Sequence, residues 1–169
     1  MSISSHLQRR PGLPLRITDR LNAQAHFDWA DCIISIDDPG SNLQPSGSKH
    51  GLFLFYDVLH DGPETPSIRI CESILDHIAS CKVTPKSRLL VHCQAGISRS
   101  TAVALGIEVS LGLDPERTWR KVHRARSCAW PNVRVLELFD CLLGRNGDLA
   151  ALGNRIDRWR CRNNRSRPW

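Results

Sequence analysis

One stretch constrains this chain more than any other. A short apolar run, Arg88-Leu89-Leu90-Val91-His92, leads straight into Cys93-Gln94-Ala95-Gly96-Ile97-Ser98-Arg99-Ser100, and residues 101–111 then continue as an apolar helix. A buried strand, a tight loop and a helix in that order form a unit that has to sit inside an α/β core. Such a loop at a helix N-terminus is also an anion cradle. Successive backbone N–H groups point inward, the helix dipole adds positive potential, and Gly96 admits backbone conformations closed to other residues.

The residue types in the loop fit that setting. The planar fork of Arg99 can hold two oxygens of a phosphate and tighten as negative charge spreads over them. The field that attracts an anion also favours the thiolate of Cys93, the form that attacks phosphorus. Gln94, Ala95, Gly96, Ile97, Ser98 and Arg99 are then the phosphate-binding positions. Ser100 can hydrogen-bond the sulfur, and His92 is expected to be a buried residue that supports the loop rather than a base.

Around this unit the periodicity alternates between strand and helix. Residues 32–36 (CIISI) and 52–59 (LFLFYDVL) read as buried strands bounded by the turn formers Asp37-Asp38-Pro39-Gly40 and Asp61-Gly62-Pro63. Between 67 and 81, Cys71, Ile74, Leu75 and Ile78 share one helical face, with Ser67 as N-cap. Asp114-Pro115-Glu116 opens a helix to about Ser127. A last core helix carries Val133, Leu136, Phe139, Leu142 and Leu143 and ends near Gly144. The expected fold is α/β, a central and mostly parallel sheet of about four to five strands flanked by helices.

Length and composition set the remaining limits. At 169 residues the chain suits one domain, with a core at about 13–145 and a basic extension at 146–169. The net charge of +6 is concentrated near the C-terminus in Arg155, Arg158, Arg160, Arg162, Arg165 and Arg167, expected as a solvated end, with nucleic acid as a less favoured partner. No apolar run approaches the roughly 20 residues of a membrane span, and the first residues lack the apolar core of a signal peptide. A cytoplasmic monomer is expected. Its seven cysteines show neither a CxxC pair nor metal-ligand spacing with histidine, so reduced thiols and no metal are expected.

The run HCQAGISRS resembles the HCxxGxxRS signature of the protein tyrosine phosphatase superfamily, and the short chain is similar to its compact dual-specificity-like branch. Arg126 to Asn132 (RSCAWPN) is similar to the arginine-to-Pro-Asn stretch that follows the catalytic loop there. Together the similarities cover about residues 28–143. Trp130-Pro131-Asn132 is not the WPD acid loop of the larger enzymes, since it follows the cysteine and lacks the acid. The resemblance implies a phosphatase that acts on phosphorylated protein through a phosphocysteine intermediate, without cofactor, and with a general acid on a loop upstream of the cysteine. Asp61, 32 residues before Cys93, is the better placed candidate and Asp57 is the rival. Other readings are an RNA 5′-phosphatase, a phosphoinositide phosphatase, disfavoured by the uncharged loop positions, and a phosphate-binding pseudophosphatase.

Overall fold

The computed structural model describes residues 12–163. Four strands, β1 (Leu15–Asp19), β2 (Cys32–Asp37), β3 (His50–Leu54) and β4 (Leu89–Cys93), form one parallel sheet in the order β1-β4-β2-β3. The expected α/β fold with a central parallel sheet is borne out. β4, covered on both faces, is buried at all five positions, which is why its sequence is a continuous apolar run instead of an alternating one.

Side chains alternate across a strand, and here the two faces are covered unequally. Leu89, Val91 and Cys93 of β4 and Ile34 and Ile36 of β2 face the main core. That core takes in α2 (Ile68–Ser80), α3 (Arg99–Ser110), α4 (Pro115–Ala125), α5 (Val133–Leu142) and α6 (Asp148–Asn163). Leu90 and Ile33 point to the other side, covered by Ala30, Phe27 and Trp29. Those residues follow the short helix α1 (Arg20–Ala23) and a single 3₁₀ turn.

The helix starts lie where the capping residues place them. Ser67 accepts from the N–H of Ile70 at the head of α2, and Asp114 from that of Arg117 at the head of α4, with Pro115 in the first turn. α3 is buried at eleven of its twelve residues and so carries no polar face. At Gly106 the Phe139 ring of α5 lies so close that an added Cβ would fall 2.3 Å from Cδ2.

Three elements differ from the sequence expectation. The strand expected at 52–59 is β3, which starts at His50 and ends at Leu54. It is an edge strand, and beyond it Tyr56 and Leu59 are 41% and 47% exposed while Phe55 alone turns into the core. β1 carries no strand signature in the sequence, because only Ile17 and Thr18 of its five residues are buried. The basic extension drawn from 146 contains α6, which buries Leu149, Leu152 and Ile156 against the core. Asp140 of α5 caps it, accepting from the N–H groups of Gly147, Leu149 and Ala150 at 2.8, 2.7 and 3.1 Å. Arg155 pairs with Glu116, and Arg160 donates to the Ser127 carbonyl at 2.7 Å. Arg165 and Arg167 lie outside the described residues. Among those residues, no helix is long and apolar enough to cross a membrane.

Candidate active site

Cys93 ends the central strand at the carboxyl edge of the sheet, where open α/β sheets bind their ligands. The loop that follows is held from outside by its carbonyls. That of Gln94 accepts from the N–H of Arg20 at 3.2 Å, and that of Ile97 from the N–H of Trp130 at 2.9 Å. Arg126 reaches the carbonyls of Gly96 through Nε at 3.1 Å and of Ala95 at 3.0 Å, and Thr101 Oγ1 donates to Ser98 at 3.0 Å. In a trans peptide the N–H opposes the C=O of the preceding residue. Turning these carbonyls outward therefore directs the following N–H groups to the concave side. Gly96 has φ +68°, and a Cβ there would lie 2.6 Å from the Thr18 carbonyl, so both conformation and space require glycine.

The loop opens on a cleft of about 460 Å³ lined by Cys93, Gln94, Ala95, Ser98 and Arg99, with Asp38, Tyr56, Asp57 and Val58 as its other wall. Cys93 Sγ is hydrogen-bonded to Ser100 Oγ at 3.2 Å. Arg99 is 3% exposed, and its NH1 donates to Asp38 Oδ1 and to the Phe55 carbonyl, both at 2.7 Å. Its buried Nε has no hydrogen-bond partner. A guanidinium anchored at one nitrogen, with its Nε desolvated and facing the Asp57 carboxylate only at 4.0 Å, beyond hydrogen-bond reach, is arranged for an anion that supplies the missing acceptor.

The two candidate acids occupy different places. Asp57 stands in the cleft wall, where its Oδ1 accepts from Ser98 Oγ at 2.8 Å and Asn132 Nδ2 at 2.6 Å, and its Oδ2 lies 4.0 Å from Arg99 Nε. Asp61 is not among the cleft residues. Its side chain is 78% exposed and pairs with Arg134 of α5 at 2.5 Å. Sequence reasoning assigned no part to Asp38 or Asn132. Asp38 lies in a turn and Asn132 at a helix cap, and each could be read as local punctuation.

His92 is buried beneath the loop, its Nε2 2.5 Å from Ser35 Oγ, which is in turn 2.6 Å from His50 Nε2. Burial, reinforced by His50, pulls its pKa from 6.5 down to about 4. The folded protein thus refuses a proton that the unfolded chain accepts between those values. Stability is full above about pH 6.5 and falls as the pH drops towards 4, by on the order of 3 kcal/mol for this one group. Denaturant titrations at pH 7 and 4.5 should show that loss in the wild type and a smaller one in His92→Gln.

No family model matches the chain, and no curated protein matches it in sequence. Solved structures do. DUSP15 aligns with a TM-score of 0.56 and 22% identity, covering 89% of this chain and 94% of that one. The Cydia pomonella PTP-2 phosphatase aligns at 0.57 and 20% over 75% and 84%. The human tyrosine phosphatase-like serine/threonine/tyrosine-interacting protein aligns at 0.59 and 16% over 79% and 93%. At such identities the likeness is one of architecture, and with the strand order it supports one conclusion: this chain has the fold of the dual-specificity phosphatases.

Proposed function

We propose that this protein is a cysteine-dependent phosphatase that hydrolyses phosphotyrosine in proteins, with phosphoserine and phosphothreonine as further substrates, through a thiophosphate on Cys93. The observation that carries the reading is the buried, unbonded Nε of Arg99 in the same cleft as Cys93. The substrate phosphate would rest on the loop N–H groups and on Arg99. Cys93 Sγ attacks phosphorus in line with the ester oxygen, the P–O bond breaks, and a proton moves to the departing oxygen. Water then cleaves the S–P bond, and the thiolate leaves towards the Ser100 hydroxyl 3.2 Å away.

For the proton donor we propose Asp57 in preference to Asp61. It already lines the cleft, and Asn132 and Ser98 hold one of its oxygens, leaving the other nearer Arg99. After the first step the same carboxylate takes the proton from the attacking water. The test is steady-state hydrolysis, with chelator present, of a phosphotyrosine peptide and of para-nitrophenyl phosphate. Asp57→Asn is expected to lose about 10²- to 10⁴-fold on the peptide, and much less on the nitrophenyl ester, whose leaving group needs little protonation. Asp61→Asn should stay near wild type on both. The reverse pattern would hand the role to Asp61, and wild-type binding of phosphopeptide without turnover would favour a pseudophosphatase.

A further inference from the structure

Away from the cleft, three side chains that the proposed reaction does not use converge under the opposite end of the sheet. Cys32 starts β2 and is fully buried, and it pairs in register with Leu89, four residues before Cys93. That is about 13 Å along the strand from the catalytic thiol. His77 and Cys81 stand one turn apart at the end of α2. The ligand atoms of all three lie within 4.8 Å of one another. We infer that Cys32, His77 and Cys81 bind zinc, tying the start of β2 to the last turn of α2.

The geometry is that of a site already mostly assembled. Zinc bonds of about 2.3 Å to sulfur and 2.0–2.1 Å to nitrogen at a tetrahedral angle require an S to N separation of about 3.5 Å. His77 Nε2 and Cys81 Sγ are 3.5 Å apart. Two sulfurs on one zinc stand about 3.8 Å apart by the same reckoning, so the 4.8 Å span has to contract by no more than about 1 Å. The imidazole is held for the purpose. The Phe53 ring meets it edge-on at 6.1 Å, and it lies so close to Gly51 that a Cβ there would be 2.8 Å from its Cδ2. The Lys49 carbonyl faces the same space, 3.3 Å from His77 Nε2 and 3.9 Å from Cys81 Sγ. It or a water completes four-coordination.

Two thiolates and an imidazole suit zinc better than magnesium or calcium, which take oxygen. The thiols release their protons to solvent as the metal enters. Reading the cysteines for CxxC spacing passed this site over, because one ligand comes from a strand 45 residues before the next.

The test is titration of the reduced, full-length protein with cobalt(II), then with zinc(II) as competitor. One equivalent of cobalt should give thiolate-to-cobalt absorption and the visible bands of tetrahedral coordination, all displaced by zinc. Cys93→Ser, which removes the thiol of the cleft about 13 Å away, should behave as wild type. Cys81→Ser should lose the bands and His77→Gln should bind at least about tenfold more weakly, both folded by circular dichroism since each side chain is half-buried. No bands in folded wild type, bands undiminished in Cys81→Ser, or bands lost in Cys93→Ser would overturn the inference. None of these outcomes bears on whether Cys93 hydrolyses phosphate.

Discussion

Cys93→Ser is expected to reduce hydrolysis of a phosphotyrosine peptide by at least about 10⁴-fold, on the order of 5 kcal/mol of transition-state stabilisation. The substitution exchanges a sulfur for an oxygen in an unchanged loop. A hydroxyl at that position is not ionised near neutral pH, its side-chain contact is the Ser100 hydroxyl, which is no base, and in the first step Asp57 has to give a proton to the leaving oxygen and so cannot also take one. The cradle itself does not depend on the sulfur. The loop carbonyls remain tied to Arg20, Arg126 and Trp130, so the variant should still bind phosphotyrosine peptide with near wild-type affinity. Isothermal titration beside single-turnover kinetics separates the two effects.

Arg99→Lys should cost about 10²- to 10³-fold in kcat, the range for removing a preorganised donor from a developing charge. A lysine can approach the NH1 position and satisfy Asp38 and the Phe55 carbonyl. It cannot also present the second nitrogen, because its three donors radiate from a single atom. Inhibition by inorganic phosphate should weaken in parallel, whereas the thermal midpoint should move little while the anchoring contacts are kept. A large fall in stability without a change in phosphate inhibition would mean that Arg99 serves the fold alone.

The loop was legible in the sequence because its parts are contiguous. Cys93, Gly96, Arg99 and Ser100 span eight residues, and the strand before them and the helix after them fix their mutual placement. Ser67 and Asp114 were legible as caps for the same reason, since each bonds an N–H three residues on. Between Asp57 and Asp61, four residues apart in one loop, the sequence favours Asp61 on its spacing from Cys93, and spacing does not show what each carboxylate meets. What distinguishes them is Asn132 on one and Arg134 on the other, 75 and 73 residues further along. α6 was obscured differently. Leu149, Leu152 and Ile156 keep a helical spacing, but the arginines that crowd the chain from Arg155 onward lower the apolar signal, and the cap comes from Asp140 on the preceding helix.

The central claim is that the phosphoryl group passes through Cys93. The most direct measurement is to quench wild-type enzyme in acid during turnover of a phosphotyrosine peptide, with chelator present, and to map phosphate on the digested protein by mass spectrometry. Phosphate on the peptide that contains Cys93, absent from Cys93→Ser, is the expected result; steady turnover with Cys93 unmodified, or with the phosphate on another residue, would contradict it.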